Sequence, residues 1–410
     1  MVASRSLWRN PDFLKLWTGQ TISEIGSRIT RDGLPFAAVT LLGATPTQMG
    51  VLIALGGIAS LIAGPLAGML ADRYRRLPLL IWSDVGRAVI LAIVPLAALQ
   101  GWLSLHVLYI VVAAAGLLTI VFDVAYQSLL PSLVPKEQLL EGNAKLALTA
   151  STAEMIGPAL AGMLIQLLTA PVAILADSLS FLASAASIIA IRTREDVRPT
   201  PHDDSDWRDS LAGMPYVFRH DVLRPLALRA ATASFFFGFF STLYTLFAVR
   251  ELGISAAALG IVIAIGGGSN FLGAMLAEHT HRWMPLGRTL TLTACLPGMI
   301  MMLIPLARGP VSGVIVLGLA QLLGDIAYPI YHIHELTLRQ KIAPPELLGR
   351  VNACVQMLFK GIWPIGALVG GLLASNIGPR ATLFLAGLGV AASTLWLVFS
   401  RVRSLTVDQV

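Results

Sequence analysis

Apolar residues run along this chain in blocks of about 20, the length a helix needs to cross a bilayer, and short polar breaks separate the blocks. The runs predict helices near 13–42, 47–71, 77–99, 104–130, 144–168 and 172–191, and again near 223–249, 256–278, 287–307, 311–338, 351–375 and 380–400. Alternate connections, such as Gly43 to Pro46, Gly101 to Leu103 and Thr169 to Pro171, are a few residues long. The longest polar stretch, Arg192 to Arg219, contains RTREDVRPTPHDDSDWRDS and splits the pattern in two. This predicts a six-helix half over 1–191, a cytoplasmic linker over 192–221 and a second six-helix half over 222–410. Within the linker Trp207, Leu211, Met214 and Phe218 recur at helical spacing, which predicts a short amphipathic helix.

Composition narrows the class. Of 410 residues, 56% are hydrophobic and 13% charged, with mean hydropathy +0.75; a soluble domain carries about 25% charge. A soluble protein and a singly anchored domain are both excluded. Cys295 and Cys354 fall inside apolar runs, so neither a disulfide framework nor a thiolate metal cluster is available. A net charge of +6 can signal nucleic acid, but the basic residues form no continuous patch, and no nucleic-acid partner is expected. They sort by topology instead. With alternating spans, most Arg and Lys fall on one side and only Arg250, Arg308 and Arg380 on the other, so both termini are expected to be cytoplasmic. The opening MVASRSLWRNPDF has neither an apolar core nor a cleavage site of a signal peptide, and the first span is expected to direct insertion.

The halves resemble each other at a shift of about 210 residues. GVLIALGG from Gly50 aligns with GIVIAIGG from Gly260, VPKEQLLEGNA from Val134 with APPELLGRVNA from Ala343, and GPALAG from Gly157 with GALVGG from Gly366. The second match lies in a polar loop, where shared letters are hard to dismiss. Duplicated six-helix halves around a central cavity, with the substrate site at mid-membrane, are one of the architectures of secondary transporters.

After the second span comes GMLADRYRR, Gly68 to Arg76, then LPLLI. It resembles the helix 2–3 loop signature of the major facilitator superfamily, with Arg75 where a glycine is usual and Leu77 where a second basic residue is common. In that reading Gly68 permits close helix packing and Asp72 accepts hydrogen bonds from a helix N-terminus, while Arg73 and Arg76 pair with Asp123; together these form a conformational gate. RDGLPFAAVTLLGATPTQMG from Arg31, the Asp84/Arg87 pair, FDVAYQSLLPSLVPKEQLLEGNA from Phe122 and DSLSFL from Asp177 look like the drug–proton antiporter branch, which includes macrolide and siderophore exporters. GPALAG is a partial match to the antiporter signature of that branch, with Ala144 and Ala153 at positions where glycines are expected. The resemblance implies an all-α membrane protein of twelve transmembrane helices in the inner membrane, which exports small amphipathic compounds in exchange for protons. A monomer without cofactor is expected. A proton-coupled uptake carrier for a small metabolite is the alternative.

Ionisable residues within a membrane are functional candidates because desolvating them is costly. Depth counted at about 1.5 Å per residue puts Arg28, Arg31 and Asp32 of the first span, Glu154 of the fifth, Asp325 of the tenth and Lys360 of the eleventh near the midplane. Glu24, Arg28 and Asp32 share a face, either as a ladder that neutralises itself or as part of the transport route. For proton coupling Glu154 ranks first, since no basic residue lies one turn away in sequence. Asp325 ranks second, and Asp32, beside Arg28 and Arg31, reads more as a counter-ion. Arg28, Arg31, Tyr244, Tyr328, Lys360 and Trp363 are the expected substrate-cavity residues. Apolar and aromatic walls with a few charges suit an amphipathic compound of drug size. The run FFFGFFSTLY from Phe235 is expected to serve packing more than binding.

Enzyme chemistry finds no support. HIHE from His332 and EHTH from Glu278 lack metal-ligand spacing, since histidines at i, i+2 point to different helix faces. HExxH, GxSxG and P-loop patterns are absent.

Overall fold

The structure, a computed structural model, describes residues 7–193, 213–344 and 346–405, with side chains throughout except at 60, 62–66, 68, 69, 71–73, 136 and 281. Its elements are all helical. The first six long helices are α1 (Pro11–Thr40), α2 (Pro46–Arg73), α3 (Arg76–Leu99), α4 (Leu105–Leu133), α5 (Leu139–Leu168) and α6 (Ala170–Ile189). A short helix, Gly213–Arg219, precedes α7 (Leu223–Leu246), α8 (Ala256–Ala277) and α9 (Leu286–Met301). Then come α10, in two segments (Gly309–Asp325 and Ala327–Ile342), α11 (Leu348–Ile377) and α12 (Pro379–Ala392). Ten of these, α3 to α12, are long and apolar enough to cross a membrane, and α2 is apolar over Pro46–Ala59. The 30-residue α1 is long enough too, but it carries Asp12, Lys15, Glu24, Arg28, Arg31 and Asp32.

Most boundaries fall within a few residues of the apolar runs. At the start of α1, Asn10 is the cap; its side chain accepts from the Asp12 and Phe13 amides at 3.1 Å, and Pro11 fills the first position, where no amide is needed. α5 begins at Leu139, earlier than predicted, because its first turns carry Glu141 and Asn143 and hydropathy alone does not register them. The break in α10 at Ile326 was not anticipated. Pro329 has no amide to offer the Asp325 carbonyl, so the helical ladder opens there.

The duplication extends to the backbone. α5 and α11 each span 30 residues, and both bounds of α11 lie 209 residues after those of α5. The residue between α5 and α6, Thr169, has φ 84 and ψ 155, and its counterpart between α11 and α12, Gly378, has φ 87 and ψ 157.

Two compact units form, one of Met1–Leu42 with Ile58–His202, the other of Gly43–Gly57 with Asp203–Val410. The first turns of α2 belong to the second unit because they pack on α11. A Cβ on Gly50 would stand 2.7 Å from the Ala367 carbonyl oxygen, and one on Gly371 would stand 2.6 Å from that of Pro46, so the two backbones are in direct contact. Thr47 and Ser375 add a hydroxyl hydrogen bond of 2.8 Å.

In the first unit α1 packs on α5 and α6, and α3 on α4 and α6, around Phe13, Leu16, Leu80 and Leu129. In the second, α7 packs on α11 and α12, and α10 on α8 and α9; Leu243, Phe247, Leu317 and Leu383 are buried in its main cluster. Of the predicted amphipathic helix, Trp207 and Leu211 lie outside the described residues. The turn that is described, Gly213–Arg219, packs on the start of α11, with Val217 fully buried near Leu223 and Val351.

Candidate functional site

Helix α1 concentrates the charge of the first unit. Arg28 donates to Glu154 on α5 at 3.2 Å and lies 3.8 Å from Glu24; Arg31 reaches the same Glu154 oxygen at 3.9 Å. The contact depends on GPALAG. A Cβ on Gly157 would lie 2.6 Å from both Cβ and Cγ of Arg28, so only glycine leaves room for the arginine stem to cross α5 and reach back one turn to the acid. Glu154, which has no basic neighbour in sequence, therefore acquires two in space. One buried oxygen of Asp32 accepts no hydrogen bond among the described residues.

A second charged cluster of this unit is enclosed. Arg87 pairs with Asp84 one turn away, and its guanidinium lies between the rings of Phe122 and Phe181, 4.3 and 4.0 Å from their centroids. Asp177 accepts from Thr30 and, at 3.0 Å, from Ser180. The Thr30–Asp177 bond ties α1 to α6, and the Arg87–Phe181 contact ties α3 to α6.

In the second unit Asp325 closes the first segment of α10, and its surroundings differ from those of Glu154. A Cβ on Gly266 of α8 would stand 2.3 Å from an Asp325 carboxylate oxygen and 3.3 Å from Gln321, so the acid lies flat against the backbone of α8. No hydrogen bond or ion pair reaches its carboxylate among the described residues. Farther along α8, Gly273 faces the Ile326 carbonyl at the break. Irregular backbone at membrane depth is tolerated where protein covers it.

The aromatic residues divide. Phe235, Phe236 and Phe239 have centroids 5.2 to 5.3 Å apart and serve packing, as predicted for that run. The Trp363 indole donates to Ser241 at 3.1 Å. Tyr244 meets Phe240 at a tilt of 49° with centroids 5.0 Å apart, Tyr328 lies parallel to His332, and both Tyr328 and Lys360 are exposed.

For the proposed gate, the side chains of Gly68, Asp72 and Arg73 lie outside the described residues. The backbone shows that α2 ends at Arg73 and α3 begins at Arg76, with Arg75 extended at φ −61 and ψ 137. Arg75 thus needs no glycine to make the turn. Arg76 is half-buried and Asp123 exposed, and neither lacks a partner.

One polar group escaped the sequence reading. Arg339, expected in a loop, lies within α10, where it pairs with Glu335 at 2.7 Å and donates to Asn352 of α11 at 3.0 Å. Arg229 of α7 covers the Tyr331 ring at 3.9 Å beside them. The i, i+4 spacing of Glu335 and Arg339 was the available signal.

Comparison with known proteins agrees with this architecture. The Major Facilitator Superfamily family model matches residues 16–365. An uncharacterised transporter of that type from Sinorhizobium fredii is 27% identical over 92% of this chain and 91% of its own. Macrolide efflux protein A of Streptococcus pyogenes is 23% identical over 92% of each chain, and the enterobactin exporter of Citrobacter koseri 23% identical over 95% of this chain and 91% of its own. Among solved structures, a bacterial homologue of the iron transporter ferroportin in its inward-facing state superposes with a TM-score of 0.74, at 18% identity, over 96% of this chain and 99% of the other. Twelve helices in duplicated halves, the α2–α3 signature and a match over most of the sequence agree, and the chain belongs to the Major Facilitator Superfamily.

Proposed function

We propose that this transporter exports small amphipathic compounds across the cytoplasmic membrane in exchange for protons, by alternating access. The direction and the substrate class are supported by full-length relatives that carry out macrolide efflux and enterobactin export. The observation that carries proton coupling is the isolation of Asp325. Among the described residues no counter-ion reaches this acid, which is pressed on Gly266 beside a broken helix, and uptake of a proton would neutralise it. Glu154 is already engaged by two arginines, so Asp325 moves ahead of it and of Asp32. The residues proposed for substrate are Arg28 and Arg31 in the first unit, and Tyr244, Tyr328, Lys360 and Trp363 in the second. Gly68, Asp72, Arg73, Arg76 and Asp123 act on the conformational cycle. Protein partners are not needed, and both termini are cytoplasmic.

Proton release from everted vesicles tests this against a panel of a macrolide, a catecholate siderophore, a sugar and an amino acid. Saturable proton movement with an amphipathic compound is expected. Saturable proton-coupled uptake of the sugar or amino acid in intact cells, with no export of any amphipathic compound, would overturn it.

A further inference from the structure

A groove of about 1230 Å³ opens in the second unit between the start of α7 and the end of α12. Its shape follows from how the chain leaves α12. Regular helix stops at Ala392, a short helix Leu395–Val398 follows, and a tight turn, Arg401–Ser404, is tied to α9 where the Gly287 amide donates to the Leu405 carbonyl at 2.9 Å.

One wall is apolar and outward-facing. Leu395 is 51% exposed, Trp396 46% and Phe399 84%, with Leu228 of α7 opposite. The Trp396 indole donates to Thr232 at 3.1 Å, which fixes the ring against α7. The other end is cationic. Arg401 pairs with Asp221 at 3.1 Å, but Arg224 is exposed and has no carboxylate partner among the described residues; Arg403 is exposed in the same turn. Two guanidinium groups, those of Arg224 and Arg401, therefore line the groove with one carboxylate, Asp221, at the edge of an apolar wall. In a membrane protein this is the arrangement of an interface, with aromatic rings at headgroup depth and basic residues just beyond them. A soluble anion would meet the arginines and leave Leu395, Trp396 and Phe399 uncovered. A molecule with an anionic head and a long apolar tail satisfies both ends, and the hollow exceeds what a drug-sized ligand requires.

We propose that this groove binds an anionic phospholipid, its phosphate held by Arg224 and Arg401 and an acyl chain laid along Leu228, Leu395, Trp396 and Phe399. The guanidinium groups supply charge-assisted hydrogen bonds to the phosphate oxygens, as basic pockets between spanning helices do for acidic lipids. The site shares no residue with the proposed coupling acid or substrate residues, so it stands or falls independently of the transport reading.

Native mass spectrometry of the full-length protein, released from nanodiscs of equal parts phosphatidylglycerol and phosphatidylcholine, reads the retained lipid. Phosphatidylglycerol is expected to be retained in preference. Arg224→Gln should lower its retention about fivefold, the weight of one arginine near a lipid phosphate. Phe399→Ser, at a ring too exposed to support the fold, should lower retention of both lipids. Arg288→Gln, which removes an exposed arginine that does not line the groove, should change nothing. Equal retention of the two lipids, wild-type retention in both groove variants, or an equal loss in Arg288→Gln would overturn the proposal. So would displacement of the lipid by millimolar inorganic phosphate, which would identify a soluble-anion site instead.

Discussion

Arg28 of α1 and Glu154 of α5 meet at 3.2 Å, where the glycine one turn beyond the acid admits the arginine stem. Glu154→Gln removes the acceptor that Arg28 and Arg31 share. About half of the Glu154 side chain is exposed, so screening limits the pair to about 1 kcal/mol. A thermal-unfolding cycle of Arg28→Gln, Glu154→Gln and the double variant should return a coupling of that size. Proton-driven transport by Glu154→Gln should be reduced but present; complete loss, with counterflow intact, would give the coupling role to Glu154.

Asp325→Asn should abolish transport driven by a pH gradient while leaving counterflow of the same compound. Gly266→Ala asks the complementary question. A methyl there would stand 2.3 Å from the carboxylate oxygen, so Asp325 must turn aside, and the pH dependence of transport should shift while the protein still folds. Normal pH-driven export in Asp325→Asn would remove this residue from the coupling step.

Thr169 holds a backbone conformation that side chains rarely adopt, the one its duplicate fills with Gly378. Strain of this kind costs roughly 1–3 kcal/mol. Thr169→Gly should raise the thermal midpoint, and Gly378→Thr should lower it. If the midpoint falls in Thr169→Gly, the threonine side chain must contribute more than its backbone costs.

Asp12 lies just ahead of the first apolar run and ties the start of α1 to the chain leaving α6. Burial acts to raise its pKa, but hydrogen bonds from Lys15, Thr193 and the Arg192 amide outweigh it, and the value falls to about 2 from 3.8. A carboxylate depressed in the folded state stabilises above its unfolded value and loses that contribution as pH falls towards the folded one. Asp12→Asn should thus unfold earlier than wild type at neutral pH, and the gap should close between about pH 4 and pH 2. A gap independent of pH would show that the contacts matter without the charge.

The spans were legible because an apolar run of about 20 residues admits few alternatives, and the duplication because polar loop letters such as Pro135/Pro344 and Asn143/Asn352 repeat. The site was legible as a set of unusual charges, but not as pairs. Glu154 looked isolated since Arg28 is 126 residues away, and only helix packing joins them. Arg339 looked like a loop residue because hydropathy ends the tenth span too early, whereas Glu335 lets the helix carry the charge onward. Pro329 was the available signal for the break beside Asp325, but a proline in a spanning helix often only bends it.

Orientation is open to direct measurement. Cysteines at Thr45, Gln100 and Asn376 should react with an impermeant reagent added to intact cells, and one at Ser205 should not. Labelling at Ser205 would reverse the assignment of the termini.

The crowding of charge onto α1 bears on how the protein is made. Glu24, Arg28, Arg31 and Asp32 sit where each central Arg or Asp costs about 2.5–3.5 kcal/mol on insertion. The group that offsets the arginines, Glu154 on α5, is synthesised later. Helix α1 is therefore poorly suited to lipid until α5 has arrived. An insertion machinery must shelter it meanwhile, and chains truncated before Glu154 should leave α1 largely outside the bilayer in a glycosylation-mapping assay.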